Sequence, residues 1–227
     1  MQYVMKCWVF IIVLSLINLE GADQISSPAG TSGYRVVALA EKMISVVGEV
    51  EDFQCKTEIQ YYREGNEYKR YRFTFFTEKS GNVRLRFSRP YPGVSAFYRK
   101  GDEKITIQPF RFLPIVKFRL SLTNPRVISP SGQRIDQGTI DYLTRFFYEN
   151  REIIRKSKSQ FSEEEDRIDC MFWAKDYTGR EELNRYRLVV FKENWFPARI
   201  ERYNQKEVPI EVITFKDYEI QFTEEKD

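Results

Sequence analysis

Three glycine-led dipeptides, Gly65-Asn66, Gly81-Asn82 and Gly101-Asp102, divide the first half of this 227-residue chain and restrict what it can fold into. Such pairs favour tight hairpin turns, because glycine reaches the positive φ of the turn at no steric cost. Between them apolar and polar residues alternate, which predicts strands at about 53–63, 67–78, 83–88, 94–99 and 104–108. Parallel pairing would need crossovers of a dozen or more residues. These spacings leave no room for them, so an antiparallel meander is expected.

The flanking segments complete the pattern. Residues 23–33 are small, polar and rich in Gly and Pro, and read as a linker. From Tyr34 to Val47 the apolar residues Val36, Leu39, Ala40, Met43 and Val47 share one helical stripe, and Gly48 is placed to stop it. Segment 110–128 alternates like strands broken at Pro114, and Ser129-Pro130-Ser131-Gly132 marks a loop. A second helix is predicted over Thr139–Asn150. The charged run Lys156–Asp166 reads as a solvated loop. Four further strands follow at about 168–176, 184–192, 196–203 and 208–222. The expected fold class is α+β and mainly β. A curved antiparallel sheet would form an unclosed half-barrel, with the helices packed on its concave face. Residues 34–227 would make one domain, and the 15% of aromatic residues suit pleated sheet.

The N-terminus points to export. Lys6 precedes a thirteen-residue apolar run, Cys7–Leu19, and small residues follow it, as in a secretory signal over 1–22. The run is short for a membrane span. Glu20 fits the cleavage position poorly, so an uncleaved anchor and a removed leader both stay open. Removal leaves Cys55 and Cys170. An oxidising compartment favours a disulfide between them, and two unpaired thiols filling core space is the alternative.

Several chemistries are missing. The chain has no histidine, which removes Ser-His-Asp triads, Cys-His dyads and histidine metal sites. No phosphate-cradling glycine loop or dinucleotide fingerprint is present. Asp166/Asp169 and Glu181/Glu182 sit among charged neighbours and read as solvated surface. No enzymatic activity, cofactor or metal is therefore expected. The 36 Lys+Arg against 33 Asp+Glu give a net charge of +3, read as spread along the chain. That argues against a nucleic-acid partner, whose site needs basic charge gathered on one face. The basic-aromatic run Tyr68–Phe73 is explained by a strand with one wet face.

What remains is apolar surface. Val83, Leu85 and Phe87 share one strand face, as do Tyr186, Leu188 and Val190, and Phe196, Ala198 and Ile200. Two helices could fill that face as a core, or leave part of it lining a cavity for an apolar ligand.

The segment Gly81–Pro90, reading GNVRLRFSRP, resembles the signature of LolA-type periplasmic lipoprotein carriers. There a turn glycine leads a strand into a basic residue and proline. Gly101 to Pro109, and Trp195–Tyr203 reading WFPARIERY, are similar to further landmarks of that family. The resemblance spans about Val36 to Phe222. It implies an unclosed barrel with a helical lid over a hydrophobic cavity, in a periplasmic monomer. The implied partners are acyl chains of lipids or lipoproteins, with envelope membrane proteins as further candidates. Shared parity nominates Phe73, Phe75, Val83, Leu85 and Phe87 as ligand-binding residues. The resemblance also implies that Arg89 holds the lid helices, a guanidinium being suited to exposed helix-end carbonyls, with a rim arginine in solvent as the alternative. The alternative is an envelope interaction or sensor module with a filled core.

Overall fold

The computed structural model describes residues 31–223 apart from 114, 139 and 179. The expected leader, 1–22, and linker residues 23–30 lie outside the described residues. Helix α1 (Thr31–Gly48) is followed by strands β1 (Val50–Arg63), β2 (Asn66–Glu78), β3 (Val83–Arg89), β4 (Ser95–Tyr98), β5 (Lys104–Gln108) and β6 (Phe118–Ser121). A 3-10 turn (Ile135–Gly138) leads into helix α2 (Ile140–Lys156). Strands β7 (Gln160–Glu163), β8 (Arg167–Lys175), β9 (Leu183–Phe191), β10 (Pro197–Tyr203) and β11 (Pro209–Phe222) complete the chain.

All eleven strands form one antiparallel sheet in the order β6-β5-β4-β3-β2-β1-β11-β10-β9-β8-β7. Two meanders meet where β1 pairs with β11, and the edges β6 and β7 stay apart, giving the unclosed half-barrel. The first turn is tighter than the dipeptide suggested. Glu64 and Gly65 occupy it with φ of 51° and 81°, and Asn66 already belongs to β2. Positive φ at both central positions is the turn whose twist matches its strands.

The chain leaves one edge at β6 and must reach the other at β7, so α2 lies against the face it crosses. It packs with α1 over β7–β9 rather than over the whole sheet. Val36, Ala40 and Met43 of α1 and Phe147 and Ile154 of α2 meet Ile168, Cys170 and Phe172 of β8 and Tyr186, Leu188 and Val190 of β9. Burial of such side chains stabilises by about 1.5–3 kcal/mol each. This face is the inner face below.

Four local expectations are corrected. Residues 31–33 are helical, not linker, and Gly33 is where α1 meets α2 most closely. A Cβ there would come within 2.6 Å of the Ile154 carbonyl oxygen, so only glycine fits. Helix α2 continues past Asn150 to Lys156, since Ile154 is an inner-face residue and Arg155 and Lys156 suit the C-terminal dipole. Asn150 still links elements: its amide donates to the Phe146 carbonyl (2.8 Å) and accepts from the Lys175 amide (2.7 Å). The run Lys156–Asp166 contains β7, an edge strand whose Ser162 and Glu163 face solvent, as edge strands commonly do. Segment 110–128 supplies only one strand, β6.

Candidate functional site

Register settles which side chains share the inner face. Phe73 stands opposite Phe87, Phe75 opposite Leu85 and Thr77 opposite Val83. On the other side of β2, Thr57 faces Phe73 and Cys55 faces Phe75. All five nominated residues therefore lie together on one face. Phe73 and Val83 are buried, while Phe75, Leu85 and Phe87 are half-buried. Their rings pack edge-on or tilted, with centroids 5.4 Å apart for Phe73–Phe87 and 5.8 Å for Phe53–Phe75. Tyr71 and Tyr91 extend the cluster, each about one ring away from Phe87. This half is reached at its margin by helix α1, where Val46 and Val47 cluster with Phe53 of β1. Its cover includes the 3-10 turn, where a Cβ on Gly138 would sit 3.3 Å from the Phe75 ring.

Between the helix-covered half and this aromatic half lies a polar cluster that the sequence reading missed. Arg202 and Glu211 face inward on β10 and β11, directly opposite each other, and each is only 1% exposed. Asp176 accepts from the Arg202 guanidinium at 2.9 and 3.0 Å, and from the Asn184 amide at 3.0 Å. The Tyr177 hydroxyl donates to Glu211, and the Arg202 guanidinium lies 4.6 Å from the Tyr177 ring centroid. Ser131 donates to Glu211 at 2.6 Å. Burial opposes the Arg202 charge, but Tyr177, Glu211 and Asp176 outweigh it and hold its pKa above the ordinary arginine value. Burial, then the charge of Glu211, pushes Tyr177 and Tyr61 well above the usual tyrosine range. The signal was present in the strand parity: Arg202 shares the face of Ile200, and Glu211 that of Ile213.

The remaining nominated residues do not join the site. Arg89 is exposed at the end of β3, and among the described residues it makes no hydrogen bond to either helix. Its place is at the rim of the sheet, which leaves the lid-holding role an expectation rather than a finding. Cys55 and Cys170 are free thiols. They lie on β1 and β8, with β11, β10 and β9 between them, far beyond disulfide reach. Of the two alternatives the core-filling one holds. Burial raises Cys55 to about 11 and Cys170 to about 12.

Two of the depressions on the surface are not lined by the five residues. One, of about 310 Å³, lies on the outer face of β3–β5. The other, about 240 Å³, runs between α1 and α2 along Val37, Ile44, Phe147 and Ile154. No group of three His, Cys, Asp or Glu side chains among the described residues could hold a metal. No helix among them is long and apolar enough to cross a membrane.

These features define an unclosed antiparallel half-barrel whose inner face is part helix-covered core and part half-exposed aromatic surface. Solved structures of similar architecture include lipoprotein LppX of Mycobacterium tuberculosis, 6% identical over 82% of this chain and 95% of that one, with a TM-score of 0.48. A LolA superfamily protein from Nitrosomonas europaea is 12% identical over 82% and 94%, with a TM-score of 0.39. A DUF1329 family protein from Desulfovibrio piger is 14% identical over 88% and 96%, also with a TM-score of 0.39. The likeness is one of fold and assigns no residue a role. No protein-family model and no curated protein matches the chain.

Proposed function

We propose that this chain is an exported, non-enzymatic protein that binds an apolar ligand, an acyl chain of a lipid or lipoprotein, along the inner face of β1–β3, as a periplasmic carrier or chaperone does. One observation carries the reading: Phe75, Leu85 and Phe87 stay half-buried together on the inner face of β2 and β3. A face meant only as core would be closed by an element as apolar as α1. The leader and the motif resemblance of Gly81–Pro90 support export and an acyl ligand. Affinity would come from apolar area, at about 25 cal/mol per Å² before ordering costs.

Titration of the protein with a dansyl-labelled fatty acid tests this. Saturable binding, displaced by unlabelled palmitate and weakened in Phe75→Ser and Phe87→Ser variants of unchanged circular dichroism, is the expected result. Absence of saturable binding to the wild-type chain sinks the reading and leaves an interaction module.

A further inference from the structure

The net charge of +3 hides a division that the expectation of evenly spread charge overlooked. Residues 79–135 hold twelve Lys and Arg but only two acids, Asp102 and Glu103, so the rest of the chain is net acidic. This stretch is β3–β6 with its loops, one flank of the half-barrel. The depression on its outer face is lined by Arg84, Arg86 and Lys117 together with Ser95, Thr106 and Gln108, and by no carboxylate. Arg84 is flanked by the rings of Phe76 and Phe97, each centroid 5.7 Å from its guanidinium carbon. Arg119 reaches Asp102 at 3.8 Å. Arg84, Arg86, Arg111 and Lys117 form no ion pair among the described residues.

Beside this groove runs the β5–β6 loop, of which residues 109–113 and 115–117 are described. Phe112 is 78% exposed and Ile115 is 91% exposed, with Phe110 and Leu113 exposed next to them. Backbone bonds from Leu113 to Phe110 (3.3 Å) and from Val116 to Leu113 (3.1 Å) fold the loop into turns. The β3–β4 loop touches it at Gly93 and Arg111 and adds exposed Tyr91. Register places Gln108 opposite Ser95 and Phe118 opposite Ile107, so the apolar tip and the mouth of the basic groove share one end of the sheet.

Clustered exposed apolar side chains mark a contact surface. An apolar tip flanked by cations fits the interfacial zone of a bilayer, where greasy side chains enter the acyl boundary and bases meet anionic headgroups. Four apolar side chains exposed within six positions, with cations beside them, suit a fluid lipid surface. We propose that the β5–β6 loop inserts Phe110, Phe112, Leu113 and Ile115 into the surface of an anionic phospholipid bilayer while Arg84, Arg86 and Lys117 engage its headgroup phosphates. This does not rest on the apolar-ligand reading, which concerns the opposite face of the sheet.

Co-sedimentation of the full chain with vesicles tests it, using phosphatidylcholine alone and phosphatidylcholine containing phosphatidylglycerol. The N-terminal segment is common to every variant, so differences between variants report the loop and groove. Expected are preference for the anionic vesicles, weakening by salt, roughly tenfold or greater loss in Phe112→Ser/Ile115→Ser, and about fivefold loss per base in Arg86→Gln/Lys117→Gln. Each altered side chain is exposed or lines an open groove, and unchanged circular dichroism verifies folding. A Phe112→Trp variant should show blue-shifted emission on adding anionic vesicles, relative to wild type. Equal binding to both vesicle types, or variants that bind like wild type, overturn the proposal. Binding to single-stranded DNA or polyglutamate that matches vesicle binding and ignores Phe112→Ser/Ile115→Ser also overturns it.

Discussion

Ser131 donates a 2.6 Å hydrogen bond to Glu211 across eighty positions of sequence, fastening the loop before the 3-10 turn to the centre of the sheet. Glu211 stands opposite Arg202, which is bound to Asp176 in the β8–β9 loop. One buried cluster thus joins β10, β11 and the β8–β9 loop to the segment that crosses between the two edges. A buried charge group of this kind is weak evidence for stability in itself, but breaking it is costly, because the remaining charges lose their partners.

Arg202→Met should therefore lower the free energy of unfolding by about 3–5 kcal/mol. Adding Glu211→Gln and Asp176→Asn to the same variant should recover part of the loss, since no uncompensated carboxylate then remains. Urea denaturation monitored by circular dichroism measures both. A loss below about 1 kcal/mol in the single variant would mean that the cluster is dispensable.

Alkaline solution should loosen the fold. Tyr61, Tyr177 and Tyr218 are held above the ordinary tyrosine value, chiefly by burial. Groups with a raised folded pKa give stability that is present below the unfolded value and is lost as pH rises toward the folded one. Above pH ~10 the unfolded chain releases these protons first, so it binds fewer than the native chain and stability falls with pH. Melting temperatures recorded from pH 7 to 11 should be steady at first and then drop, with tyrosinate absorbance rising at the melt. A melting temperature unchanged at pH 11 contradicts this.

The two core thiols should be inert. Burial raises Cys55 to about 11 and Cys170 to about 12, so little thiolate exists at neutral pH and access is blocked. Iodoacetamide at pH 8 should leave both unmodified in the native protein and alkylate both in guanidinium, as peptide mass mapping would record. A peptide pair linked through Cys55 and Cys170 under non-reducing conditions would refute the strand order itself.

Much of the sheet was legible because alternation is local. The strands around Gly65, Gly81 and Gly101 fall within a few residues of their expected bounds, and the shared parity of Phe73, Phe75, Val83, Leu85 and Phe87 survives intact. Misreadings arose where a distant contact overrides local character. Gly33 resembles linker until the α2 backbone is placed against it, and residues 160–163, polar but for Phe161, become a strand only because β8 offers an edge. Arg202 and Glu211 were passed over because an inward charge is tolerable only when its partner, brought by another strand, is known.

By itself the sequence determined the antiparallel habit of this chain, the two faces of each strand and the absence of histidine chemistry, since turn residues and a period of two act over a few neighbouring positions. Tertiary structure alone decided that β11 closes against β1, that α2 crosses toward the β7 edge and packs over β8 and β9, and that Arg202 can stay charged in the interior. The physical reason is range: backbone geometry speaks locally, whereas burial and charge compensation depend on which remote segments the fold brings together.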